Sequence, residues 1–160
     1  MSISEQYIYD PSTVAEVDNR AIHEFSMPGI ELMEKAAAYA FQCSQECFPN
    51  IDSIQIFCGS GNNAGDAYLF GCYAIDHGIT TSVIYLSNPK TLKGDAYSAY
   101  QRYKAKEGKL IQWHENININ SDLIIDGIFG IGINRPVKGI FLKAIELINQ
   151  NSTPVLALDI

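Results

Sequence analysis

Three acidic residues stand where they could do acid/base chemistry. Asp126 and Asp159 each end a short apolar run, and Asp66 closes a glycine-rich loop that follows another such run. In open parallel sheets ligands bind beyond the carboxyl ends of the strands, so acids at those ends could face one crevice. Each acid alone could equally cap a following turn or helix. Their shared position favours a site, and crowded carboxylates need a metal, a basic side chain or raised pKa values.

The segment Gly59 to Ala67 reads Gly-Ser-Gly-Asn-Asn-Ala-Gly-Asp-Ala and joins a strand-like run to a helix-like one. Its glycines let the backbone approach a ligand closely, and free amides at the following helix start favour negative charge. Asn62, Asn63 and Asp66 add oxygens that could orient a ligand or hold a cation. The pattern predicts an anion-binding corner.

A second glycine-bearing loop follows Asp126 and reads Gly-Ile-Phe-Gly-Ile-Gly-Ile-Asn-Arg-Pro from Gly127 to Pro136. Arg135 could form a two-pronged contact with phosphate or carboxylate, or it could be a solvated loop residue. Two such loops suit a ligand with two ends, for example a nucleotide with a pyrophosphate.

The elements that must position these loops alternate along the chain. Two helices are predicted first, one after the caps Ser12 and Thr13 and one from Pro28 to Pro49, forming an N-terminal cap. From there strand-like and helix-like runs alternate as Ile54–Cys58, Asp66–His77, Thr81–Leu86, Leu92–Glu107, Leu110–Trp113, Leu123–Asp126, Phe141–Gln150 and Val155–Asp159. Gly78 and Gly108 fall where helices should end. This rhythm predicts an α/β fold, with a parallel sheet covered by helices on both faces.

The composition and charge of the chain argue against several classes of protein. The 160 residues are 47% hydrophobic, which fits one domain, and the net charge of −7 with scattered basic residues argues against nucleic-acid binding. Residues 1–10 do not read as a secretory signal, and no apolar run approaches the roughly 20 residues of a membrane span. The four cysteines have no histidine partners at metal-ligand spacing, so reduced thiols and a cytoplasmic location are expected.

Common motif interpretations fail. Gly59 to Ala64 satisfies a loose dinucleotide-binding pattern, but no acid follows the second strand, where the chain reads Ile-Tyr-Leu-Ser-Asn from Ile84 to Asn88. An ordinary dehydrogenase is therefore disfavoured. Asp66 and Ala67 replace the Lys-Ser or Lys-Thr of a Walker loop, and no nucleophile elbow accompanies the three histidines.

The motifs together resemble those of the NAD(P)H-hydrate epimerase family, the YjeF N-terminal domain. The first loop is similar to the family's G-P-G-N-N-G-G-D-G, and Leu32–Ala37 to its L-M-E-x-A-G helix. Lys93–Ala96 matches K-G-D-A, Asp126–Pro136 is similar to D-A-I-F-G-T-G-L-x-R-P, and Pro154–Ile160 to P-V-L-A-I-D-I. The resemblance covers nearly the whole chain.

This resemblance implies a Rossmann-like three-layer αβα sandwich with a mainly parallel central sheet, preceded by two N-terminal helices. It implies interconversion of the R and S epimers of NADHX and NADPHX, a bound potassium ion and a homodimer. A dehydratase that uses ADP or ATP, fused or separate, would be the partner. Asn63 and Asp126 would be potassium ligands, and Asp126 the catalytic residue. The implied substrate contacts are Asn62, Asn63, Ala64, Gly65, Asp66, Gly130, Ile131, Gly132, Ile133, Asn134, Arg135, Pro136 and Asp159.

The sequence also departs from the family pattern. Ala64 and Ala67 replace glycines, Ile131 replaces a threonine, and the family's Pro-Ser-Gly, whose serine ligates potassium, would come after Ile160. We therefore expect a single domain over residues 1–160, shortened at its C-terminal end and prone to associate or to be unstable. The alternative function is a non-catalytic nucleotide-binding or protein-interaction module.

Overall fold

The computed structural model describes residues 10–158. The helices are α1 (Pro11–His23), α2 (Gly29–Cys47), α3 (Asn62–Asp76), α4 (Gly94–Ala105) and α5 (Ile140–Gln150). The strands are β1 (Ser53–Cys58), β2 (Thr80–Tyr85), β3 (Lys109–Gln112), β4 (Leu123–Gly127) and β5 (Val155–Ala157), with a 3₁₀ turn at Pro89–Thr91. All strand pairs are parallel, in the order β3-β2-β1-β4-β5. The predicted α/β fold with a parallel sheet is confirmed.

Each face of the sheet carries its own core, because side chains of a strand alternate between faces. On the α3 face, Ile56 and Ile125 pack with Met33 of α2, Phe70 of α3 and Tyr103 of α4. On the α5 face, β-strand side chains pack with α5 and with the segment after β3; they include Phe57, Ile84, Ile124, Ile117, Ala144 and Ile148. The three-layer arrangement follows from these two cores.

The second N-terminal helix, α2, packs against α3 and α4. Phe41 of α2 is buried and meets Phe70 of α3 edge to face, with ring centroids 5.5 Å apart. Arg102 of α4 also donates to the Glu34 carboxylate of α2 at 2.9 Å. Helix α2 is therefore part of the layer on the α3 face, in agreement with the two predicted N-terminal helices that precede the sheet.

Several helix ends differ from the predicted ones; α3 begins at Asn62 and not at Asp66. The cap of α1 is Asp10, whose carboxylate accepts from the Ser12 N–H at 2.8 Å, so the cap precedes the predicted Ser12 and Thr13. After α4 the left-handed residue is Glu107, with φ of 56°, and not Gly108. A Cβ on Gly108 would lie 2.4 Å from the Tyr103 ring, so this glycine is needed for close packing. Gly78 does adopt the left-handed conformation, with φ of 77°.

Candidate functional site

A cleft of about 1000 Å³ opens at the carboxyl edge of the sheet. Its lining comes from the first glycine loop, the start of α3, the second glycine loop and the end of β5, and also from α1 and α2. Apolar side chains such as Leu32, Met33 and Phe129 stand beside polar ones such as Asn62 and Asp66. The cleft thus combines apolar lining with a few polar groups, as small-molecule sites do.

The strand order explains why the two glycine loops meet. From β1 the chain runs outward to β2 and β3 on one side, and β4 and β5 lie on the other. The loops follow β1 and β4, the neighbouring strands at which this order reverses. Crevices at such a reversal are the usual ligand site of open α/β sheets.

The two loops are in direct backbone contact. The Gly59 N–H donates to the Gly127 carbonyl at 3.2 Å, and a Cβ on Gly59 would lie 2.0 Å from the Ile128 carbonyl oxygen. No other residue could hold this approach without moving the second loop. Gly61 then takes φ of 86° at the start of α3, a conformation that favours glycine.

Asn63 joins three segments of the site. It is 5% exposed, and its side-chain amide donates to the Phe129 carbonyl at 2.7 Å and to the Leu158 carbonyl at 3.2 Å. Its Oδ1 is buried and has no hydrogen-bond partner within the described residues. A buried amide oxygen without a donor fits a cation ligand, because a hard cation such as potassium prefers oxygen donors.

Asp126 lies at the end of β4 in register with Phe57 of β1 and Ala157 of β5. Phe57 belongs to the α5 core, so alternation puts the Asp126 side chain on the α5 face. Its Oδ1 accepts from the Ile128 N–H at 3.0 Å. Burial raises the pKa of this carboxyl above its ordinary value, an effect that the hydrogen bond from Ile128 partly offsets. Asp126 thus keeps its proton to a higher pH than an exposed aspartate does.

The structure brings most of the predicted contact residues into one cleft. Those that line it are Asn62, Asn63, Asp66, Gly130, Ile131, Gly132, Ile133, Asn134 and Arg135. Ala64, Gly65, Asp126 and Pro136 do not line it, and Asp159 lies outside the described residues. Ala64 is fully buried, and a Cβ on Gly65 would lie 2.5 Å from the Met33 sulfur. These two positions pack α3 against its neighbours, so their contact with a substrate stays a prediction.

Sequence reasoning missed several lining residues. Ser60 stands within the predicted loop, whereas Asp18 and Asp95 come from α1 and α4. A Cβ on Gly29 would lie 2.3 Å from a carboxylate oxygen of Asp95, so Asp95 sits against the start of α2. The Lys-Gly-Asp-Ala segment that contains it was a signal for Asp95. No local pattern pointed to Asp18.

The cleft carries an excess of negative charge. Within residues 10–158 its charged lining residues are the three acids Asp18, Asp66 and Asp95 and the single base Arg135. A phosphate-bearing ligand would be repelled by such a set unless a cation joins it. No group of three or more His, Cys, Asp or Glu able to hold a metal occurs in residues 10–158.

Comparisons with known proteins agree with this geometry. The chain is 30% identical over 151 residues to a protein of Rhodopirellula baltica named NAD(P)H-hydrate epimerase, covering 92% of this chain and 62% of that protein. An NAD(P)H-hydrate epimerase of Limosilactobacillus reuteri is 31% identical, with 89% of this chain and 67% of that protein covered. A bifunctional NAD(P)H-hydrate repair enzyme Nnr of Moorella thermoacetica is 28% identical, and the match covers 96% of this chain.

The chain spans 31% of the length of the Moorella protein, and less than two thirds of the Rhodopirellula one. Among solved structures, that of yeast ynu0 matches with a TM-score of 0.83 and 19% identity, over 97% of this chain and 70% of the yeast chain. This likeness supports the fold. A family model described as YjeF-related protein N-terminus matches residues 29–160. The chain therefore belongs to the family of YjeF-related N-terminal domains.

Proposed function

We propose that this chain is an NAD(P)H-hydrate epimerase domain, which interconverts the R and S epimers of NADHX and NADPHX. The observation that carries the proposal is that two glycine loops meet where the strand order reverses. The side chain of Asn63 links this region through hydrogen bonds to the Phe129 and Leu158 carbonyls. Relatives of Rhodopirellula and Limosilactobacillus that bear this name support it. A hydrated dinucleotide has two charged phosphates and a ring to position, which suits a cleft lined by two glycine loops and by apolar side chains.

Potassium is part of the proposal, with Asn63 and Asp126 as ligands. The orphaned Oδ1 of Asn63 and the acid excess of the cleft both favour a cation. A bound potassium ion would supply positive charge for the phosphate and ribose oxygens of the substrate. The chain's own part is to orient the substrate through loop amides and through Arg135.

The proposed role of Asp126 is proton transfer. In a dissociative route, Asp126 protonates the hydroxyl of the hydrated ring carbon, the C–O bond breaks and water leaves a ring cation that the ring nitrogen stabilises. Water then adds to the opposite face, which forms a new C–O bond and returns a proton to Asp126. Atoms and charge balance, so one group can act first as acid and then as base. Burial raises the pKa of Asp126, which favours the acid form, whereas a bound potassium ion would favour the carboxylate that acts as the base. Because Asp126 does not line the main cleft, the reacting ring would have to reach the end of β4.

The test mixes R-NADHX and S-NADHX with the chain and follows the approach to epimer equilibrium, with and without potassium. We expect catalysed interconversion that depends on potassium and falls about 10²- to 10⁴-fold in Asp126→Asn. Uncatalysed rates in the wild type, with nucleotide binding retained, would instead favour the non-catalytic module.

The replacement of two family glycines by Ala64 and Ala67 is a weaker argument for the non-catalytic module than the sequence indicated. The methyl groups of Ala64 and Ala67 are fully buried in the α3 core and do not line the cleft, so they do not narrow it. Ile131 is the departure that remains in the cleft, where it is 45% exposed.

We also propose the finer partners and location. A dehydratase, fused or separate, is supported by the bifunctional repair enzymes among the relatives. Homodimer formation is supported by the exposed Val17 and Phe25 near α1. No helix in residues 10–158 is long and apolar enough to cross a membrane. A cytoplasmic location is proposed from the reduced cysteines.

A further inference from the structure

A second pocket, of about 420 Å³, lies at the carboxyl edge of β2 and β3 on the α5 face. Its lining comes from the ends of β2 and β3, from the segment after β2 and from α5. The residues are Tyr85, Leu86, Asn88, Lys90, Gln112, Trp113 and Ile140. It shares no lining residue with the main cleft. The Leu86 N–H donates to the Cys58 carbonyl at 2.9 Å, so this pocket begins one strand away from the first glycine loop.

The charge of this pocket is opposite to that of the main cleft. Among the residues that the structure describes, Lys90 is the only charged one that lines it, whereas acids dominate the lining of the cleft. The backbone of Lys90 is held in place because its N–H donates to the Asn88 side-chain oxygen at 3.0 Å. A phosphate group is therefore better accommodated here than in the cleft.

Trp113 gives the pocket an aromatic wall. Its ring packs against Phe57, with centroids 6.4 Å apart, and its backbone N–H donates to the Tyr85 carbonyl at 3.0 Å. The indole nitrogen is buried and has no acceptor in the part of the chain that the structure describes. A buried donor without a partner destabilises the protein, and a ligand acceptor that reached it would remove this cost.

The place of the pocket in the sheet indicates which part of a dinucleotide it suits. In dinucleotide-binding parallel sheets, the end of the second strand meets the adenosine ribose, with an acid there for a free 2′-hydroxyl and a base for a 2′-phosphate. Here β2 is followed by Leu-Ser-Asn-Pro-Lys from Leu86 to Lys90, with no acid and one base.

We propose that the second pocket binds a 2′-phosphorylated adenosine group, with Lys90 on the 2′-phosphate and Trp113 beside the adenine. The chain accordingly prefers the 2′-phosphorylated dinucleotide, NADPHX, to NADHX. This inference rests on the proposed function for the identity of the whole substrate, but the pocket's ligand can be tested alone.

The test compares adenosine 2′,5′-bisphosphate with adenosine 5′-diphosphate as probes at physiological salt. Trp113 is the only tryptophan of the chain, so its fluorescence reports binding directly. We expect the 2′-phosphorylated probe to bind about tenfold more tightly than the diphosphate, as one charge-assisted contact predicts. In Lys90→Met the two affinities should become equal within about threefold, because the side chain keeps its length and loses its charge.

Lys104→Met is the matched control, because Lys104 is an exposed lysine of α4 that lines neither pocket. It should keep the tenfold preference. Equal affinities in the wild type, or a preference that survives Lys90→Met, would overturn the inference. If the chain binds the 2′-phosphorylated probe through Lys90 but does not epimerise NADPHX, the proposed function fails and this inference stands. If the chain epimerises both substrates with equal KM and shows no probe preference, the proposed function stands and this inference fails.

Discussion

At the residue scale, Asn63 is expected to stabilise the domain as well as its site. Asn63→Ala removes the hydrogen bonds to the Phe129 and Leu158 carbonyls. At about 1 kcal/mol for each bond, with the acceptors left inside the protein, the free energy of unfolding should fall by about 2 to 3 kcal/mol. Urea denaturation measures this loss. The control is Asn62→Ala, an exposed neighbour that should change the free energy of unfolding by less than about 0.5 kcal/mol. Equal losses in the two variants would contradict the assigned role.

Asp126 should make stability depend on pH in a defined direction. Its folded-state pKa is raised above the ordinary 3.8, so the folded state keeps a proton at pH values where the unfolded state has released it. The free energy of unfolding contributed by this group therefore falls as pH rises through the window from 3.8 to the folded pKa. The Asp126→Asn variant has no carboxyl group at this position to titrate, but its amide oxygen can still accept from the Ile128 N–H.

Urea denaturation of both proteins at pH 4 and pH 8, in potassium-free buffer, measures the effect. The asparagine variant should gain stability relative to the wild type as pH rises, since desolvation of the carboxylate is avoided. A stability difference that is constant across this range, or that moves the other way, would show that Asp126 is not desolvated.

At the element scale, Gly65 sets how closely three helices approach. A Cβ there would lie 2.5 Å from the Met33 sulfur of α2 and 2.9 Å from the Ala96 Cα of α4. Gly65→Ala should therefore lower the free energy of unfolding by about 1 to 3 kcal/mol through overpacking, even though alanine favours the helix by about 1 kcal/mol. Thermal or urea denaturation tests this. Gly132→Ala serves as the control, because a Cβ there meets nothing within 4 Å. A stabilised Gly65→Ala protein would show that α2 can move away at little cost.

The elements themselves were largely predictable from sequence, because β-branched runs and helical spacing are local patterns. Strand order was not, since the pairing of Ile56 with both Val83 and Ile125 joins residues far apart in the chain. The same limit applies to the site. Asn62, at the start of α3, and the loop residue Arg135 could be predicted, whereas Asp18 enters the cleft only through the packing of α1. The role of Gly65 in helix packing was hidden because a glycine in a ligand loop and one in a helix contact look alike in sequence.

At the scale of the whole molecule, a cation bound by the folded state should raise its stability by mass action. The cleft combines an acid excess with the buried, unpaired Oδ1 of Asn63, so potassium should bind the folded chain and not the unfolded one. Potassium at a hundred times its Kd would add about 2.7 kcal/mol, which raises Tm by about 5 to 10 °C for a domain of 160 residues. Calorimetry in potassium chloride and in choline chloride at equal ionic strength separates this specific effect from screening. Asn63→Ala should lose the potassium increment while keeping any general response to salt. Identical Tm values in the two salts would remove potassium from the proposed site and leave Arg135 as the only positive charge lining the cleft among the described residues.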